Sequence, residues 1–203
     1  LDDYGGKTLR LNDDGMAPRD NPFFGRADAN PEIFTMGHRI NLGMTMNPIT
    51  NEIWVSENAP YGGDEVNILH AGQNYGWPVL SDGRFYGGNP ISNVPYKDGI
   101  TRPHLSYVPS IAPSGLVFYT GDKFPAWNNN LFIGAMRMGE TPRTGHIERV
   151  VFNEKWEAVR NEMLLLDLHQ RIRDVEQSPD GYLYVITDEG ADSLLMKLEP
   201  GGK

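Results

Sequence analysis

The sequence predicts an all-β protein, and three observations predict it. Gly and Pro contribute 23 and 15 of the 203 residues and cluster between short apolar runs. Those runs are rich in β-branched and aromatic residues and are bounded by Asn, Asp, Gly and Pro, as strands are. A unit of strand, turn and strand recurs along the chain, whereas helix-period stretches of ten or more residues are scarce.

Taken in order, residues 6–11 read as a first strand and residues 43–46 as another. A turn follows, and then the alternating strand of Asn47-Pro48-Ile49-Thr50-Asn51-Glu52-Ile53-Trp54-Val55-Ser56-Glu57. Near the other end, Ser178-Pro179-Asp180-Gly181-Tyr182-Leu183-Tyr184-Val185-Ile186-Thr187-Asp188 repeats that pattern after a strand at residues 175–177. Each copy ends in a hydroxyl and an acid. A looser copy runs from Pro125 through Leu131-Phe132-Ile133-Gly134, after a strand at residues 115–119. Third strands follow two of the copies, at residues 146–152 and 193–198. This rhythm is that of propeller blades, and the chain holds roughly three of them with some flanking strands. Residues 13–30 and 80–109 have no pattern of their own and read as long rim insertions.

Composition excludes several classes. A formal net charge of −9 argues against a nucleic-acid-binding module. The absence of cysteine removes disulfides, thiolate metal sites and cysteine nucleophiles. No apolar run approaches the roughly 20 residues of a membrane span. The first residues, Leu1-Asp2-Asp3-Tyr4, carry no initiator Met and read as an interior segment entered in mid-fold.

Four constellations carry chemistry. Ser56-Glu57-Asn58-Ala59-Pro60-Tyr61-Gly62-Gly63-Asp64-Glu65, followed by Asn74-Tyr75-Gly76-Trp77-Pro78, offers carboxylates and carbonyls freed by Gly and Pro. That set reads either as a hard-cation site or as a polar turn with a solvated face. In Arg171-Ile172-Arg173-Asp174, strand alternation sets two guanidiniums on one face, suited to a multiply charged anion or to a solvated surface pair. Met36-Gly37-His38-Arg39 holds a lone His, read as structural, beside an Arg at a strand end. Gly134-Ala135-Met136-Arg137 sets small residues before a cation. His70, His104, His146 and His169 form no hydrolase triad, and no nucleotide-binding or zinc-protease motif is present.

In this order the segments Gly37-His38-Arg39, Gly62-Gly63-Asp64-Glu65-Val66-Asn67, Asn74-Tyr75-Gly76-Trp77-Pro78, Leu131-Phe132-Ile133-Gly134-Ala135 and Arg171-Ile172-Arg173-Asp174-Val175 resemble the soluble pyrroloquinoline quinone (PQQ)-dependent aldose sugar dehydrogenases of the glucose/sorbosone dehydrogenase family. The resemblance covers nearly the whole chain. It implies a six-bladed β-propeller, of which residues 1–203 are the C-terminal portion. It also implies oxidation of an aldose or related polyol, PQQ and Ca²⁺ as cofactors, and a periplasmic or secreted location. The expected partners are the sugar and the missing N-terminal half of the ring, or a second copy of the chain.

Carried over by position, Arg39 matches an arginine that acts in catalysis and contacts the cofactor. Arg137 stands where the family has a cofactor-contacting Lys, and Arg171 and Arg173 match the pair that holds PQQ carboxylates. Ala59, Pro60, Glu65 and Tyr75 match calcium-ligand positions, with Tyr75 offering a backbone or phenol oxygen. The family's general-base His falls before Leu1, so His38 is not its counterpart. Three departures, Ile40 and Asn41-Leu42 after Arg39, Arg137 for Lys, and Asn58-Ala59 before Pro60, keep a second reading open. In it the propeller has lost PQQ and binds a carbohydrate or a protein. A calcium-dependent lactonase-like propeller is a third reading, without a recognisable ligand cluster. The four arginines are expected to converge on one cavity.

Overall fold

The protein is described by a computed structural model over residues 1–201. Thirteen strands form four antiparallel sheets in chain order. In the first, β1 (Lys7–Leu9) pairs with β2 (Ile33–Met36). The second holds β3 (Asn41–Met46), β4 (Ile53–Glu57), β5 (Asp64–Ile68) and β6 (Leu105–Tyr107). The third is β7 (Pro113–Phe118), β8 (Leu131–Ala135), β9 (His146–Phe152) and β10 (Ala158–Leu164), and the last is β11 (Ile172–Gln177), β12 (Leu183–Thr187) and β13 (Leu195–Leu198). Each of these three sheets is a meander whose first strand is an edge.

Those edge strands lie together. An added Cβ on Gly43 of β3 would sit 2.6 Å from the Ser114 carbonyl oxygen and 2.9 Å from the Gly115 Cα, both on β7. Gly115 in turn presses on Asp174 of β11. The Ser56 hydroxyl donates to the Ser114 carbonyl, and the Ser114 hydroxyl donates 2.8 Å to the Ile172 carbonyl. With β3, β7 and β11 gathered at the centre, the later strands of each sheet fan outward. This is the radial arrangement of a propeller.

The core lies in the seams between sheets. Side chains alternate along each strand, so one strand feeds two seams. On β7, Leu116 and Phe118 face the second sheet while Val117 faces the fourth; on β8, Leu131 and Ile133 do the former and Phe132 the latter. This two-sided burial explains why Leu131-Phe132-Ile133 reads as an unbroken apolar run. Trp54 sits fully buried in the second seam, with Phe118 at 5.2 Å and Phe152 at 5.4 Å. Each such side chain contributes roughly 1.5–3 kcal/mol on burial.

Most of the expected strands are present, and residues 146–152 coincide with β9. Residues 13–30 contain no strand. Three differences matter. The stretch 80–109 is not wholly irregular, since β6 lies within it. The strand expected at 193–198 begins only at Leu195. Asp64 and Glu65, expected in a loop, open β5. The sequence Asp-Glu-Val-Asn-Ile hides this strand because its polar residues face a buried hydrogen-bond network rather than solvent.

Candidate functional site

Antiparallel pairing collects particular strand ends on one face. Asn41 pairs with Glu57, Asp64 with Tyr107, Pro113 with Ala135, and Ile172 with Thr187. The starts of β3, β5, β7 and β11 and the ends of β4, β6, β8 and β12 therefore share what we term the upper face. Arg39, Ala59, Pro60, Glu65, Arg137 and Arg171 lie at those ends, drawn to one side of the ring by topology alone.

Arg39 immediately precedes β3 and is half-buried. Its guanidinium donates 2.8 Å to the Asn58 carbonyl and lies 5.4 Å from the centre of the Trp77 ring. Its backbone N–H donates 2.5 Å to Glu57 Oε1. The other Glu57 oxygen meets His38 Nδ1 at 2.9 Å, and His38 Nε2 meets the Thr35 hydroxyl at 2.8 Å. His38 is buried, stacked on Tyr75, and has neither ring nitrogen free. It is a structural histidine that braces the Arg39 backbone through Glu57.

The same device recurs. Asp64 Oδ2 accepts 2.8 Å bonds from the N–H groups of Ile111 and Ala112, just before β7. Its other oxygen accepts from Ala59 N–H at 2.8 Å, and burial pushes its carboxyl up against those bonds. Before β11, Arg171 N–H donates 2.9 Å to Glu189. In all three sheets a carboxylate holds the backbone that enters the innermost strand. Sequence reasoning read Glu57 and Asp64 only as carboxylates of a cation site or polar turn, and did not single out Glu189. The acid closing each strand copy, Glu57 and Asp188, was the available signal.

Arg171 reaches the Met136 sulfur at 3.3 Å and Asp188 at 3.5 Å, which sets it against the segment bearing Arg137. Arg137 is half-buried and pairs with Glu140 at 3.2 Å. Arg173 is exposed on β11 and, among the described residues, makes no side-chain hydrogen bond or ion pair. The premise for the Arg171/Arg173 pair is corrected: Arg171 precedes the strand, and the register shifts between Ile172 and Asp174. A bulge re-aims side chains, so simple alternation does not hold there. Arg39 lines a cavity of about 440 Å³ with His38, Asn74 and Trp77, and the other three arginines are not among its lining residues.

Glu65 is buried on β5, beside Glu57 across the β4–β5 pair. Burial first, and then the nearby Glu57 charge, push its carboxyl up to about 8. Asn67 Nδ2 donates to it at 2.9 Å, while Asn67 Oδ1 is buried without a partner. Among the described residues, the carbonyls of Ala59, Pro60 and Tyr75 accept no hydrogen bond. A buried acid that makes no ion pair, with the nearby Arg102 bonded to Asp82 instead, beside an orphaned amide oxygen, is a donor set that fits a hard cation. Of the two oxygens Tyr75 could offer, backbone or phenol, the phenol is engaged elsewhere. The Tyr75 hydroxyl donates 2.5 Å to the Ile68 carbonyl and accepts from His70 N–H at 2.9 Å, at the far end of β5. That is about 10 Å along the strand from Glu65, so only the backbone oxygen of Tyr75 remains available. Among the described residues no group of three or more His, Cys, Asp or Glu side chains surrounds one metal position.

For PQQ, a group bearing several carboxylates, the donor chemistry also fits. Among the described residues Arg173 is unengaged, Arg137 and Arg171 hold only solvent-exposed partners, Arg171 and Arg173 lie at the inner strand β11, and Arg137 follows β8.

The chain is 42% identical over 203 residues to the aldose sugar dehydrogenase YliI of Escherichia coli strain K12, covering 98% of this chain and 52% of that protein. Quinoprotein glucose dehydrogenase B of Acinetobacter calcoaceticus is 29% identical over 240 residues, covering 91% of this chain and 48% of its own length. The structure of the soluble aldose sugar dehydrogenase from Escherichia coli in the apo-form superposes with a TM-score of 0.87 at 40% identity, covering 97% of this chain and 55% of that one. The chain thus spans about half the length of the relatives it matches. With the glucose/sorbosone dehydrogenase family model matching residues 1–196 and a radial β-sheet fold carrying arginines suited to an anion, the chain belongs to the glucose/sorbosone dehydrogenase family.

Proposed function

We propose that this chain supplies the cofactor-holding half of a PQQ- and Ca²⁺-dependent sugar dehydrogenase that oxidises an aldose or related polyol. The observation that carries the reading is the set of arginines at the upper strand ends of three sheets, Arg39, Arg137 and Arg171, on the same face as the buried carboxylate of Glu65. The relation to a quinoprotein glucose dehydrogenase supports it.

When bound, PQQ supplies the two-electron acceptor for the hydrogen leaving the sugar carbon. Arg137, Arg171 and Arg173 would hold its carboxylates by charge-assisted hydrogen bonds. Arg137 offers a planar fork rather than the point charge of a Lys, so its approach angle differs. Arg39 brings a fixed positive charge to the reacting end. Its guanidinium is oriented by the Asn58 carbonyl and Trp77, and its backbone by Glu57. Such prearranged charge stabilises negative charge as it develops, without reorganisation at the moment of reaction. Glu65, with the carbonyls of Ala59, Pro60 and Tyr75, would hold Ca²⁺. The general base is expected to be a His outside this chain, since His38 has both nitrogens engaged. The rest of the ring, or a second copy, completes the channel, and a periplasmic or secreted setting goes with the reading.

The test is titration of the full-length protein with PQQ in saturating Ca²⁺, followed by addition of aldoses. Stoichiometric PQQ binding and a change in quinone absorbance on adding sugar are expected. Arg39→Ala should retain PQQ binding but lower kcat by about 10²–10³-fold, the usual cost of a lost charge-stabilising donor. No PQQ binding to the wild type would leave a carbohydrate- or protein-binding propeller as the better description.

A further inference from the structure

The seam between the second and third sheets is apolar for most of its depth and changes character at its upper end. There it opens into a cavity of about 290 Å³ lined by Tyr107, Val108, Met138, His146, Glu148 and Met163, among others. His146 and Glu148 are two apart on β9 and project from one face of the strand, toward β6. His146 is fully buried and Glu148 is 6% exposed. None of these groups takes part in the candidate cofactor site.

The hydrogen bonds around the pair define its state. His146 Nδ1 lies 3.0 Å from the Thr144 carbonyl oxygen, which can only accept, so Nδ1 carries the proton. His146 Nε2 is buried with no hydrogen-bond partner among the described residues. Glu148 Oε1 accepts from Asn161 Nδ2 at 2.6 Å, leaving Oε2 to face His146 Nε2 at 3.4 Å. The Tyr107 hydroxyl is also buried without a partner. Burial and the Glu148 and Asp64 charges keep that phenol protonated. An imidazole nitrogen and a carboxylate oxygen thus stand side by side in a cavity, each with its other atom already anchored.

We propose that His146 and Glu148 bind a divalent transition-metal ion of the Zn²⁺ class. Three features carry this. An N–H···O bond of an ion pair would close to about 2.7–2.9 Å, whereas two ligands on a tetrahedron of radius 2.0–2.1 Å stand about 3.3–3.4 Å apart. The observed separation is the latter. The His146 N–H held by a carbonyl and the Glu148 oxygen held by an amide are the outer contacts that orient metal ligands. Mixed nitrogen and oxygen donors suit Zn²⁺, Co²⁺ or Ni²⁺ and not Ca²⁺, which takes oxygen alone. With one neutral imidazole and one carboxylate as protein ligands, water completes the coordination. The cavity has room for it, and the Tyr107 O–H is placed to donate to such a water or to a small ligand that replaces it. The site would join β6 of one sheet to β9 of the next. It is independent of the quinoprotein reading.

The probe is Co²⁺, added to the full-length protein in excess Ca²⁺ so that oxygen-only sites stay filled. One equivalent is expected to bind with the visible absorption of low-coordinate Co²⁺, to be displaced by Zn²⁺, and to resist further Ca²⁺. Binding should be lost in His146→Ala and in Glu148→Gln. Asn161→Ala, an exposed position that leaves both ligands in place, should weaken it by about 10–100-fold. That variant decides the matter if His146→Ala does not fold. The proposal is overturned if the wild type takes up neither Co²⁺ nor Zn²⁺ at millimolar concentration. It is equally overturned if Ca²⁺ displaces the bound Co²⁺, or if binding is unchanged in Glu148→Gln and Asn161→Ala.

Discussion

Glu65 shows how much of a site is decided by one residue's surroundings. In sequence it is one acid among 27 acidic residues. In the fold it is buried beside Glu57, and its carboxyl is pushed from 4.5 to about 8. The consequence for stability has a definite sign. Between those two pH values the folded state holds a proton that the unfolded chain has released. Stability is therefore full below pH 4.5 and falls as pH rises through 8. At 1.36 kcal/mol per unit the loss is on the order of a few kcal/mol. Denaturant titrations in chelator should show the wild type weaker at pH 8.5 than at pH 5, and Glu65→Gln should flatten the slope. Saturating Ca²⁺ should also remove it, because the ion favours the ionised carboxylate. Equal slopes for wild type and variant would refute the raised carboxyl of Glu65. Calorimetry with Ca²⁺ should find affinity lowered in Glu65→Gln and retained in Tyr75→Phe, since the Tyr75 phenol faces Ile68 and His70.

The elements are joined by carboxylates that reach from one sheet to the chain entering the next. Asp64 is the clearest case. It opens β5 and bonds the Ser110 hydroxyl and the Ile111 and Ala112 N–H groups that lead into β7, besides Ala59 N–H. Truncation would leave the buried N–H groups of Ala59 and Ile111 and the Ser110 hydroxyl unpaired, at about 1–3 kcal/mol each, while the Ala112 N–H keeps its bond to the Ser110 oxygen. Asp64→Ala should therefore lower stability by roughly 3 kcal/mol or more in equilibrium unfolding. It should also release the Ala59-Pro60 segment and so weaken Ca²⁺ binding. A variant within 0.5 kcal/mol of wild type, a threshold of about the scatter for neutral surface changes, would remove Asp64 as the joint. The elements also show where local reasoning worked. The repeats around Ile53–Glu57 and Leu183–Thr187 were legible because turn residues and alternation are local. β5 was not, because its polar side chains look solvated until the neighbouring sheet is in place.

At the scale of the molecule, the chain is an arc of a ring. Its last sheet has three strands, with β13 at the outer edge, and its first has two. Large apolar side chains stay exposed on or beside these strands and on β3, among them Met44, Met46, Ile186 and Leu195 at 46–71%. Unpaired strand edges and uncovered apolar faces favour association. Expressed alone, residues 1–203 should bind a hydrophobic dye and elute as dimers or larger species. The full-length protein should do neither. A monodisperse, dye-silent monomer of the isolated chain would show that the arc closes its own faces.

The sequence by itself determined the all-β class, the recurring blade unit and the family resemblance, including Arg39 at a strand end. These follow from turn chemistry and from strands buried on both sides, which write themselves into consecutive residues. Only the tertiary structure decided which acid holds which backbone, that the Arg171–Arg173 alternation is broken by a bulge, and that the Tyr75 phenol turns away from Glu65. It alone set His146 and Glu148 against Tyr107. Those outcomes depend on groups about 20 to 50 residues apart meeting in a seam, as Asp64 meets Ser110 and Tyr107 meets His146. Burial and partner choice there are properties of two sheets together, and no window of the chain contains them.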